Sequence, residues 1–423
     1  MATDDTDLLG EAASQARNGD PQAAARSLRF AAQSPKLHTD DARLGSLIDT
    51  VARIAGSMNL DDLAHRATGA SGLVPQALYD LGYELVEVGL PAVAVPVFQR
   101  VHRVLPGQAP VVSELASALE RAGRHAEARD VLMSAPELLE DFWLRYLVVF
   151  NALCAGDLVS ARTHEALLSS EDPSQAHAQD RVAAMLSRAA RLEVQGSSEA
   201  FALREWQYIL NGYVLHHLSP FGWDEGMRGR YAYSQDGLGA IRRDLDSLAD
   251  ALRATDTIPP RVLWLPERGS KTLALALADL LRVPSAPWSQ RTDGLVVAYD
   301  LADLDEESFT ALAASEALHL FSRTVRWTEP SSLVPSHVGL LAQTLIAPWS
   351  AGLRMAPGGG VEQTPESVDP PEQWARQVLD ADVGTDEVAP GDTGKERLRF
   401  VKSASPEPSD MFLEGPIRSS RFG

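Results

Sequence analysis

The sequence predicts a mainly α-helical chain: an N-terminal α-solenoid, then a small α/β domain with a short parallel sheet, then a disordered tail. Three observations predict it. A glycine-centred helix-pair pattern recurs at Gly89, Gly123 and Gly156, at intervals of 34 and 33 residues, and periods of this size signal stacked helical repeats. Between residues 261 and 346 short apolar runs alternate with helical patterns, as in parallel sheets. From Pro357 onward 16 of 67 residues are Pro or Gly, and such a stretch buries too little surface to offset its ordering entropy. The expected domains are 1–195, 200–355 and 356–423.

The repeat is clearest over Pro75–Pro106. Leu78, Leu81, Gly82 and Leu85 form an apolar stripe at helical spacing, and Gly82 leaves room for a neighbouring helix. Gly89 ends that helix, because glycine adopts positive φ at little cost. Ala94, Phe98 and Val101 mark a second helix, and Pro106 closes the unit. One period on come Val112, Leu115, Ala116, Leu119, Gly123, Ala128, Leu132 and Ala135, and then Val148, Val149, Ala152, Gly156, Ala161 and Leu168. An earlier unit is readable at Gly19, Ala24, Leu28 and Ala31, and residues 41–74 hold a weaker pair of helices. A single repeat cannot bury its own stripe, so several must stack.

The Leu81-Gly82, Ala94, Phe98 and Pro106 set resembles the tetratricopeptide repeat family, whose pattern asks for a leucine–glycine pair, a small residue, an aromatic and a closing proline; the resemblance spans about residues 5–195. Glu165 stands where the family has its aromatic. The resemblance implies a protein–protein interaction scaffold whose groove is lined by the first helix of each pair. In this chain those positions are Tyr79, Tyr83, Ser113, Ser117, Glu120, Tyr146 and Phe150. Such a groove is aromatic and hydroxylated. It lacks the Lys, Arg and Asn with which one subgroup grips acidic chaperone tails, so a peptide or helix with apolar anchors is the expected partner.

Composition limits the alternatives. A net charge of −20 over 423 residues opposes nucleic-acid binding and favours basic partners. No run of 18 apolar residues exists, so no membrane span is expected. Cys154 is the single cysteine, which rules out an intrachain disulfide or a cysteine zinc site. The acidic N-terminus has no signal-peptide pattern, and the cytoplasm is the expected compartment. No cofactor is expected.

In the C-terminal half, Phe201–Leu218 reads as a helix, and Leu238–Ala254 as a second one. Arg261–Leu265, Leu295–Tyr299 and Leu320–Trp327 read as strands. Lys271–Leu281, Glu306–Leu318 and His337–Ile346 read as helices. The turn Gly269, Ser270, Lys271, Thr272 opens a helix, where backbone N–H groups favour an anion. It looks like the end of a phosphate-binding loop, but Leu265 or Pro266 replaces the first glycine. Residues 261–305 also resemble the phosphoribosyltransferase-like α/β fold. That resemblance implies a phosphate-ligand sensor or an enzyme in this half, with the repeats as a regulatory arm. The family's Thr/Gly-rich cradle is missing after Asp300 and Asp303, the two weak candidates for metal contact. His216-His217, with Trp223, Asp224 and Glu225, reads either as a favourable helix C-terminus or as a metal or acid/base cluster, although adjacent helical histidines diverge and helical zinc pairs use i, i+4 spacing. In the tail, Pro371–Ala381, Met411-Phe412-Leu413 and Phe422 are the segments able to dock on a partner or fold back.

Overall fold

The computed structural model describes residues 5–194, 201–290, 292–315, 319–329, 331–355, 359–384 and 388–418. The chain divides into two compact units, Met1–Val182 and Ala183–Gly423.

The first unit is built of helices joined by short turns. They are α1 (Asp5–Arg17), α2 (Pro21–Ala32), α3 (Asp41–Ser57), α4 (Asp61–Ala70), α5 (Pro75–Glu87), α6 (Pro91–Val104), α7 (Ala109–Arg121), α8 (His125–Met133), α9 (Phe142–Ala155) and α10 (Leu158–Glu165). A longer helix, α11 (Pro173–Glu193), contains the boundary between the units. The glycines of the sequence pattern do the work expected of them. Gly19, Gly89, Gly123 and Gly156 have φ of 78°, 79°, 71° and 83°, and each lies in the turn after the first helix of a pair. In the α3–α4 turn Asn59 takes the same conformation at φ 57°, as asparagine can, which is why no glycine marks that pair. Proline at the first position of α2, α5 and α6 has its ring preset for helix and lacks only an N–H that would go unbonded.

The apolar stripes meet in one core that includes Leu28, Leu47, Leu78, Leu81, Leu85 and Phe98. A second cluster joins Val112, Ala116, Leu132, Leu144 and Val148. Gly82 is pinned by contact, since a Cβ there would lie 2.7 Å from the Phe98 ring.

The second unit begins with α12 (Leu203–Asn211), β1 (Val214–Leu215), β2 (Tyr231–Gln235), α13 (Leu238–Ala254), β3 (Val262–Trp264) and α14 (Arg268–Leu281). It continues with β4 (Ser285–Pro287), β5 (Leu295–Asp300), α15 (Glu306–Ala313), β6 (Leu320–Arg326) and β7 (His337–Ile346). It ends with a hairpin of β8 (Gly352–Met355) and β9 (Val361–Thr364), then α16 (Pro371–Asp380) and α17 (Gly394–Ser403).

Among the described residues the sheet has seven strands, all parallel, in the order β1-β7-β6-β5-β3-β4. The seventh, β2, also pairs with β7. Val214 and Leu215 lie opposite His337 and Val338, whereas Tyr231 lies opposite Ala342, so β1 and β2 share one edge of β7 at different heights. One face of the sheet, with Val262, Val297, Tyr299 and Phe321, packs on α13, α14 and α16; the other face, with Leu263, Val296, Ala298 and Leu320, packs on Leu312 of α15.

Three expectations need correction. His337–Ile346 is the strand β7 and not a helix. Its first six residues are all buried, as in a strand covered on both faces, and a short apolar run carries no period that separates strand from helix. The helix expected over Phe201–Leu218 stops at Asn211, because Gly212 turns left-handed at φ 76° against the Glu407 carbonyl. Thus His216 and His217 continue β1, their N–H groups donating to Val338 O and Gly339 O at 2.8 Å each.

The third correction concerns the tail, whose described residues are ordered against the sheet unit. Val378 and Ala375 of α16 enter the α13–α14 core, and Trp374 lies 5.7 Å from Trp349. Farther on, Glu407 N donates to Gly212 O at 2.8 Å, Gln207 Nε2 to Glu414 O at 2.9 Å, and Phe412 stacks on Tyr213 at 6.0 Å. The buried Arg188 donates to Ile209 O at 2.9 Å and Leu210 O at 3.2 Å, satisfying the end of α12. Phe422, and residues 316–318 of the expected Glu306–Leu318 helix, lie outside the described residues.

Candidate functional site

Three places bear on function: the face named by the repeat register, the Gly269 turn, and a charged cavity in the sheet unit that sequence reasoning missed. On the first, α5 touches α7 and α7 touches α9. Tyr83 is 47% exposed. Tyr79 is half-buried, edge-on to Phe98 at 5.8 Å, and Ser113 and Ser117 of α7 are half-buried. Glu120 accepts a hydrogen bond from Asn151 Nδ2 of α9 at 2.7 Å. Burial raises its pKa, with that hydrogen bond opposing.

Tyr146 and Phe150 are buried and stacked at 5.9 Å, and Arg181 donates to the Tyr146 hydroxyl at 3.1 Å. These two therefore build the interior of the face, and the accessible aromatic of α9 is Trp143, 43% exposed. Beside Tyr79, Glu114 of α7 is half-buried; burial raises its pKa, Arg121 opposes the rise and Glu87 adds to it.

The Gly269 turn does open a helix, but its anion is already supplied. The Glu267 carboxylate accepts from Gly269 N at 2.5 Å, Ser270 N at 2.7 Å and the Ser270 hydroxyl at 2.8 Å. Gly269 is closed in by Tyr299 and Trp349. Lys271 Nζ pairs with Glu372 at 2.8 Å and lies 4.9 Å from the Trp264 ring centre, and Thr272 is buried. Asp300 and Asp303 are both held by Arg326, at 2.9 and 2.6 Å. A cation in that position disfavours a metal ion, and among the described residues no cluster of His, Cys, Asp or Glu is arranged to hold one.

The cavity is about 680 Å³ and opens between the end of β1, the strands β2 and β7, α13 and α17. Its charged wall is drawn from elements far apart in sequence. Arg323 of β6 is 1% exposed and bridges two buried aspartates, Asp236 at 2.8 Å and Asp244. Tyr299 donates to the other Asp236 oxygen at 2.9 Å. Asp244 also lies 2.9 Å from His217 Nε2. Burial opposes charge on His217, but Asp244 and Asp392 outweigh it and raise its pKa.

Asp392 is held by Arg204, by Leu218 N at 3.0 Å and by Arg397 at 3.3 Å. Burial works against its ionisation, yet His217 and Arg204 bring its pKa down to about 2. Gly339 is required here, because a Cβ would strike Asp244 and the Arg323 carbonyl. Next to this network, His216 Nε2 lies 3.2 Å from His337 Nδ1, and burial keeps both rings neutral, with His337 lowered to about 4.

No family model, curated protein or solved structure matches the chain. The functional reading therefore rests on these residues. Among the described residues, no helix is long and apolar enough to cross a membrane.

Proposed function

We propose that the N-terminal unit is a tetratricopeptide-like docking arm that holds a peptide or helix of a protein partner, in the cytoplasm, on the face made by α5, α7 and α9. The observation that carries this reading is the contact of these three helices in sequence, with Tyr83 open on the first and Trp143 on the third. Tyrosine and tryptophan supply large contact area at low entropy cost, and they suit the apolar anchors of an extended or helical peptide. Glu114 and the net charge of −20 favour a partner with basic residues beside those anchors.

The phosphate-sensor alternative at the Gly269 turn loses support, because the Glu267 carboxylate takes the place of the anion. Affinity capture with the full-length chain tests the docking arm. A partner retained by the native chain is expected to be lost with Tyr79→Ala/Tyr83→Ala and weakened with Tyr83→Ala alone. Equal capture by native and double-variant chains would contradict the proposal.

A further inference from the structure

The wall of the 680 Å³ cavity carries Arg243, Arg323 and Arg397 against Asp244 and Asp392. Arg323 pairs with Asp236 and Asp244, Arg204 pairs with Asp392, and His217 lies between Asp244 and Asp392. Each carboxylate is already committed to partners in that set. Arg397 joins the same Asp392: it approaches the carboxylate at 3.3 Å and donates to Asp392 O at 2.8 Å, its Nη1 lies 3.4 Å from His217 Nδ1, and it lines the cavity. Asp392 alone is shared by Arg204, Arg397 and His217, so a second anion beside Arg397 meets two arginines that share one carboxylate. The first turn of α17, Thr393 and Gly394, forms part of the same wall, and a helix N-terminus favours negative charge. Arg323 Nε, in the same wall, is buried without a hydrogen-bond partner, although buried donors are ordinarily satisfied. The lining also includes the apolar or aromatic side chains of Leu218, Phe221, Tyr231 and Leu340. A cavity of this size with a few convergent polar groups is the usual form of a small-molecule site.

From this arrangement we infer that the cavity binds a small organic anion. Its phosphate or carboxylate group sits against Arg397, His217 and the start of α17, and its carbon skeleton lies along Tyr231 and Leu340. The site is distinct from the docking face and stands whether or not that face binds a partner. It also differs from the Gly269 turn, whose anion is built in.

Isothermal titration of the full-length chain with glycerol 3-phosphate, succinate and neutral glycerol tests the inference. Binding of at least one anion and not of glycerol is expected, with Arg397→Ala weakening it about tenfold or more and Arg397→Lys weakening it less. Preference for glycerol 3-phosphate assigns a phosphate group, and preference for succinate a carboxylate. Far-UV circular dichroism establishes that each variant is folded. Absence of binding by both anions at about 10 mM, or binding unchanged in a folded Arg397→Ala chain, overturns the inference.

Discussion

The helical unit and the sheet unit treat polar groups in opposite ways. The helical unit joins its elements through apolar seams such as Leu81–Phe98–Leu85, with few charges inside. The sheet unit buries a connected set of ions, with Arg323, Asp236, Asp244, His217, Asp392 and Arg204 all nearly excluded from solvent. Apolar seams are tolerant of volume-conserving changes and indifferent to pH. Buried ion networks are neither, because removing one member leaves its partner charged and unsolvated. The proposed docking arm thus rests on an apolar framework, and the proposed anion site on a buried ionic one.

The largest effect should follow from breaking the network at its centre. Replacing Arg323→Leu leaves Asp236 and Asp244 without their cation, and a loss of about 3–5 kcal/mol is expected in urea unfolding followed by tryptophan fluorescence. A loss below about 1 kcal/mol would show that the aspartates are satisfied by other means.

The pH response comes next. The pKa of His337 is depressed from 6.5 to about 4, so its contribution is complete above pH 6.5 and disappears as pH falls toward 4. Folding should lose on the order of 3 kcal/mol across that window, and His216 acts in the same direction. In His337→Gln the slope between these pH values should flatten. An unchanged slope would assign the response to other groups.

In the helical unit the matching test is steric. Gly82→Ala brings a methyl group onto the Phe98 ring and should cost about 1–3 kcal/mol. Combining it with Phe98→Leu should recover part of that loss, and strict additivity would deny the contact. Tyr83→Ala should change stability least, by about 0.5 kcal/mol or less, because the side chain is half in water. A much larger loss would make Tyr83 a structural residue.

Much of the helical unit was legible because its turns repeat a local requirement. Positive φ after the first helix selects glycine, and Gly19, Gly89, Gly123 and Gly156 announce it; the one pair that uses Asn59 was correspondingly faint. In the sheet unit β3, β5 and β6 appear where their apolar runs placed them. The strand β7 did not, since His337–Ala342 is buried throughout and has no alternation to read. β1 and β4 span two and three residues, too short to leave a pattern.

The order of the tail was hidden for another reason. Its Pro and Gly content describes the chain alone, whereas Val378, Phe400 and Asp392 are held by surfaces made elsewhere. The cavity had no local signature, because His217, Asp244, Arg323 and the Asp392–Arg397 pair come from four separate segments. The residues expected to line a groove fall on α5, α7 and α9, and of these Tyr146 and Phe150 are buried.

The docking face can be tested most directly by position-specific photo-crosslinking in cells. A photo-crosslinking amino acid in place of Tyr83 on α5 is compared with one in place of Thr163, exposed on α10. A discrete protein adduct at position 83, absent at 163, is the predicted result. Identical adduct patterns at both positions, or none at 83, would contradict a docking arm on the α5–α7–α9 face.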